Sequence, residues 1–232
     1  MAANRRALSH DNGRISAETF RFFRDLSRNN RKEWMDQNRE RYKSAVVQPF
    51  RGLLEKLTPA VTKLYPGIDV SGRTGVNFSR INRDIRFAKD KTPYHSRMYL
   101  LFPARGGKNR GPGELYLGVT AGIVTAGFRV YFDRDTKAAA LASRIGQAQK
   151  WCAQQKRRMA RQYESYWYSM EKGGWTQNDG WPLTPEAWKK LRAWIVRKKL
   201  SAAAAVRPGF AKRVASIFRQ VFPLFRFLCQ PT

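Results

Sequence analysis

The stretch Glu114-Leu-Tyr-Leu-Gly-Val-Thr-Ala-Gly-Ile-Val-Thr-Ala-Gly-Phe-Arg-Val-Tyr-Phe132 decides the fold. It is rich in β-branched and aromatic residues, and its apolar positions alternate with the period of a strand. It reads as two strands, Glu114 to Thr120 and Ile123 to Phe132. Upstream, Arg97 to Phe102 and Thr74 to Ile81 have the same short, alternating character. Gly106-Gly107 and Gly111-Pro112-Gly113 supply turns between the later strands. The expectation is a mostly antiparallel central sheet of about four or more strands.

Outward from the sheet the period becomes helical. Ser16 offers an N-cap with Glu18 in the first turn, and Phe20, Phe23 and Leu26 follow at helical spacing. Asn29-Asn30 is read as a stop, because Asn tolerates the left-handed conformation. A second helix carries Trp34, Tyr42, Ala45 and Val46. Pro49 opens or kinks a third, whose stripe of Phe50, Leu53, Leu54, Leu57, Val61 and Leu64 ends at Pro66-Gly67.

Beyond the sheet, Leu141, Ile145, Ala148, Cys152, Met159 and Tyr166 predict one long helix from Asp135. Gly173 to Pro182 reads as a loop. Thr184-Pro185-Glu186 starts a helix with Trp188, Leu191 and Ile195 on its buried face. A last helix carries Phe210, Val214, Ile217, Phe218 and Val221 and is stopped by Pro223. The pattern is α+β, with N-terminal and C-terminal helices flanking the sheet. Residues 1–14 read as a basic tail and 15–229 as one domain, with a split near residue 136 as the alternative.

The charge is one-sided. Among 232 residues, 45 Lys and Arg stand against 17 Asp and Glu, a formal +28. Such a chain attracts polyanions. An anionic small molecule or nucleic acid is therefore the partner class implied, the latter through the basic runs Lys156-Arg157-Arg158 and Arg197-Lys198-Lys199 on C-terminal helices. Solvated helix faces are the plainer reading of those runs. Tyr166, Trp167, Tyr168, Trp175, Trp181 and Trp188 could stack on bases, though core packing explains them more simply.

Several classes are disfavoured. Cys152 and Cys229 are too few and too distant for a disulfide framework or a zinc ribbon. The start lacks the apolar run of a secretory signal, and no window is apolar enough to span a membrane, so the cytoplasm is the expected compartment. The glycine-rich stretch 106–111 lacks the Lys-Ser/Thr ending of a P-loop, and no metal motif or nucleophile elbow is present. The sequence points to no cofactor and no particular oligomeric state.

The segment from Phe78 to His95 stands apart. It sets Arg80, Arg83, Arg86, Lys89 and Lys91 around Asp84 and Asp90, between two expected strands. Guanidinium forks suit bidentate binding of phosphate or carboxylate, and the Asp residues can orient them. His95 has the intrinsic pKa best suited to proton transfer, and Tyr94 or Asp84 could also move a proton. Three readings stand: an anion-binding site, which leads; a catalytic site for a phosphorylated or nucleotide-like substrate; and a loop held by its own ion pairs.

The run Arg83-Asp-Ile-Arg-Phe-Ala-Lys-Asp-Lys-Thr-Pro-Tyr94 resembles the signature of an uncharacterised bacterial and fungal family of unknown function. Phe23-Arg-Asp-Leu-Ser-Arg-Asn-Asn-Arg-Lys-Glu-Trp34, Tyr42, Pro49 and the closing Phe222-Pro-Leu-Phe-Arg-Phe-Leu228 are similar to its other landmarks. The resemblance spans residues 15 to 228. It implies one α+β domain and supplies no catalytic residue or cofactor. His95-Ser96 departs from the Lys-Thr common in the family, which weighs against His95 as a general catalytic group.

Overall fold

A computed structural model describes residues 14–104, 113–132, 145–171 and 174–229. The expected tail through residue 13, the glycine-rich turn at 106–112, and Asp135 and Leu141 of the expected helix lie outside the described residues.

The chain opens with helices α1 (Ala17–Arg28), α2 (Lys32–Gln37), α3 (Arg39–Tyr42) and α4 (Gln48–Leu64), the last two joined by a π-helical turn, Lys43–Val47. Ser16 is the N-cap of α1, and its amide donates to Thr19 Oγ1 at 3.3 Å. Asn29 closes α1 with φ −128, so no left-handed residue is used. Its side chain instead donates back to the Asp25 carbonyl at 3.0 Å. Pro49 sits in the first turn of α4, where a missing N–H costs little.

Three of the four expected strands form: β1 (Arg97–Pro103), β2 (Gly113–Thr120) and β3 (Ile123–Tyr131). Residues 74–81 do not make a regular strand. Gly72 and Gly75 take positive φ and turn the backbone out of the extended region. The segment still meets β1 at one antiparallel bridge, Phe78 with Leu100. The Leu101 amide donates to the Asn77 carbonyl at 2.7 Å and the Ser79 amide to the Tyr99 carbonyl at 3.1 Å. An irregular strap thereby covers the outer edge of β1, a common way to protect an edge.

The C-terminal third differs most from expectation. Helix α5 spans Ile145–Met159 and stops short of Tyr166, which lies in strand β4 (Glu164–Glu171). The expected loop contains β5 (Gly174–Asp179). The short helix α6 (Pro185–Lys190) gives way at once to β6 (Leu191–Ser201), so Leu191 and Ile195 lie in a strand and not on a helix face. Apolar residues at Leu191 and Ile195 fit both periods, and pairing with β3 and β4 decides for the strand. The Arg197-Lys198-Lys199 run is therefore on a strand as well. After α7 (Ala202–Ala205), helix α8 (Phe210–Cys229) runs through Pro223 to bury Leu224, Phe225 and Leu228. That burial outweighs the hydrogen bond lost at proline.

The result is an α+β fold on a six-stranded antiparallel sheet, ordered β1-β2-β3-β6-β4-β5. Helix α8 covers the face that carries Phe102 and Phe128, with Phe218 edge-on to Phe102 at 5.7 Å and Phe225 beside Phe128 at 6.0 Å. Each such fully buried ring contributes roughly 1.5–3 kcal/mol. Strand alternation and register put Tyr99, Tyr116, Arg129, Arg197 and Tyr166 together on the opposite face. Among the described residues no helix is long and apolar enough to cross a membrane.

Candidate functional site

The segment from Ile81 to His95 is closed at its base by backbone pairing. The Arg83 amide donates to the Pro93 carbonyl and the His95 amide to the Ile81 carbonyl, both at 2.8 Å. Asn30, at the end of α1, grips the same base. Its Nδ2 donates to the Tyr94 carbonyl at 2.8 Å and its Oδ1 accepts from the Tyr94 amide at 3.0 Å. Ile81 and the Tyr94 ring are buried in the core. Between these anchors the chain makes an exposed excursion whose tip, Phe87, is 95% exposed.

The excursion spends its charges on itself. Arg83 reaches Asp90 Oδ2 at 2.6 Å and the Thr92 carbonyl at 2.9 Å, and also donates to the Thr92 hydroxyl. Asp90 accepts from the Thr92 amide at 2.9 Å, and this bond, with those from the Thr92 hydroxyl and Arg83, holds its carboxyl below the usual range. Arg86 and Asp84 form a two-pronged pair at 3.0 and 2.7 Å, which lowers the Asp84 pKa in turn. Lys91 Nζ donates to the Ile85 carbonyl at 3.0 Å. Lys89 is exposed beside them. Ion pairs this exposed add little to stability, so their effect is to shape the loop.

The base of the excursion opens differently. Arg80, Asn82 and His95 line a cleft of about 350 Å³ together with Arg97 and Tyr99 of β1 and Arg129 of β3. Arg129 pairs with Glu114 across the β2–β3 register, and its guanidinium lies 5.2 Å from the Tyr99 ring and 5.6 Å from the Tyr116 ring. Arg97 lies 5.8 Å from the Tyr99 ring. Among the described residues neither Arg80 nor Arg97 has a carboxylate partner. His95 is half-buried, and burial first, then the charges of Arg97 and Arg83, hold its imidazole below its ordinary value of 6.5. It is neutral at pH 7 and can accept a proton.

Residues 18–227 match the model of a family described as a conserved hypothetical protein, DUF2461. The chain belongs to the DUF2461 family. No curated protein matches it. The family match covers every strand of the sheet and both walls of the cleft, so the cleft lies within the part of the chain that DUF2461 describes.

Of the residues singled out in the sequence, the cleft gathers Arg80 and His95. Arg83, Asp84, Arg86, Asp90 and Lys91 bond within the excursion, and Tyr94 turns into the core. Sequence reasoning missed Asn82, Arg97, Tyr99 and Arg129. A signal for Arg129 existed: an arginine between Phe128 and Val130 in the middle of a central strand is an expensive placement unless its face is used.

The Arg197 run is also accounted for locally. Arg197 Nε meets Glu164 at 2.9 Å and the guanidinium carbon lies 4.9 Å from the Tyr166 ring, while Lys199 meets the same carboxylate at 2.5 Å.

Proposed function

We propose that this DUF2461 chain binds a small ligand bearing a phosphate or other anionic group in the cleft between the Arg80–His95 segment and the sheet. One observation carries the reading. Arg80 and Arg97 face a shared space with no carboxylate partner among the described residues, while the neighbouring Arg83 and Arg86 are each paired. Both side chains are exposed, and an anion taken between the two guanidinium forks would relieve their mutual repulsion. Arg129, fixed by Glu114, supplies a third fork at the floor.

The test is a titration of the full chain with a phosphomonoester followed by calorimetry. Replacing Arg80 or Arg97 by Ala should weaken binding by about tenfold or more, the size of one charge-assisted hydrogen bond. Arg86→Ala, which removes only a pair within the excursion, should leave affinity unchanged. Unchanged affinity in both Arg80→Ala and Arg97→Ala would sink the proposal.

The neutral His95 favours a second reading, an enzyme acting on a phosphorylated or nucleotide-like substrate, with His95 as proton acceptor. It differs from the first in one observable. Turnover of a phosphate ester should be lost in His95→Gln while binding persists; a parent chain that binds and never turns over leaves only the binding reading.

A further inference from the structure

A second cavity, of about 590 Å³, shares no lining residue with the cleft. It lies between α4 and the start of α8, over a floor of Pro59, Ala60, Phe210 and Ala215. Five cationic side chains line it from four separate segments: Arg14 ahead of α1, Lys56 on α4, Arg207 in the turn before α8, and Lys212 and Arg219 on α8. Among the described residues no Asp or Glu lines it.

Arg207, Lys212 and Arg219 have no carboxylate partner among the described residues, and what sets them apart from the other cations in that state is that one concavity gathers them. The Arg14 guanidinium is held in place by the Val206 carbonyl, at 3.4 Å from Nε and 3.3 Å from the second nitrogen. Cations converging on one concavity repel each other, and a low-dielectric floor strengthens that repulsion. A single carboxylate or phosphate leaves part of the charge of Arg207, Lys212 and Arg219 unmatched. Closely spaced anionic groups match them, and arginine forks pair best with phosphate oxygens. The positive end of the α8 helix adds to the same field.

We propose that this cavity binds a run of linked phosphates, gripped by Arg207, Lys212 and Arg219. The chemistry is shared by two sources, a free oligophosphate and the backbone of a single-stranded nucleic acid.

Calorimetric titration of the full chain with inorganic tripolyphosphate and with a mixed-sequence single-stranded oligonucleotide tests this. A triple variant, Arg207→Ala, Lys212→Ala and Arg219→Ala, should weaken tripolyphosphate roughly tenfold for each cation removed. A control triple on α5, Lys156→Ala, Arg157→Ala and Arg158→Ala, removes the same charge elsewhere and should leave affinity within about threefold. If oligonucleotide affinity also falls, with a salt slope smaller by about 2, the nucleic-acid backbone is the source. If only tripolyphosphate is affected, the source is a free oligophosphate. Equal weakening by both triples, no weakening by the first, or no binding by the parent chain overturns the proposal. Should the triple variant lose its melting transition, Arg219→Gln alone gives the same readout at one charge. Phosphomonoester binding that requires Arg80 and Arg97 stands or falls separately, because the two sites share no residue.

Discussion

Asn30 fixes a loop that lies far from it in sequence. Its amide takes both backbone groups of Tyr94, at 2.8 and 3.0 Å, and each such bond contributes about 1 kcal/mol. With Tyr94 pinned, His95 is placed at the mouth of the cleft and partly withdrawn from water. Its folded pKa lies below 6.5, so the unfolded chain binds the proton more readily. The contribution of the neutral imidazole is therefore complete above 6.5, shrinks as pH falls through that value, and is gone below the folded pKa. Denaturant titrations should show the parent losing stability on acidification from about pH 7 to 5, a window set by the ordinary His value. His95→Gln should lack that portion of the loss; an identical pH profile in both chains would show that His95 does not titrate as described.

The β2–β3–β6 centre of the sheet depends on close backbone approach at Gly127. A Cβ there would lie 2.0 Å from the Val196 carbonyl oxygen and 2.7 Å from Arg197 Cα, with backbone on the receiving side. Gly127→Ala should therefore cost about 3 kcal/mol or more, a fall in melting temperature of roughly 6–12 °C. Gly122→Ala, where nothing lies within 4 Å, should melt within about 1–2 °C of the parent. Equal effects of the two substitutions would contradict the register. The same elements mark what the sequence disclosed. β1, β2 and β3 announced themselves because their alternation is local and their connections short. β6 did not, because its spacing satisfies a helix equally and only partners more than 20 residues away, in β3 and β4, select the strand. The cleft was half legible for a similar reason. Arg80 and His95 belong to a conspicuous charged run, whereas Arg97 and Arg129 join them only through the pairing of strands that folding creates. Within the charged run, charges adjacent along the chain pair with one another, as the expectation of orienting Asp residues had it.

Across the whole molecule a formal +28 must be held together. The core is one contiguous cluster reaching from Ile15 to Leu228, and it carries the fold against that self-repulsion. Added salt shortens the screening length from about 30 Å at 0.01 M to about 8 Å at 0.15 M. The melting temperature should rise over that range, read by differential scanning fluorimetry in sodium chloride. A fall would mean that the ion pairs at Glu18, Glu114 and Glu164 outweigh the repulsion of the unpaired cations.

The strap from Asn77 to Arg80 has a double duty. It hides the hydrogen-bonding groups of β1 that would otherwise invite another chain to pair, and its last residue forms a lip of the cleft. Loosening the strap at Asn77 or Ser79 would therefore bare the sheet margin and displace the cleft lip together.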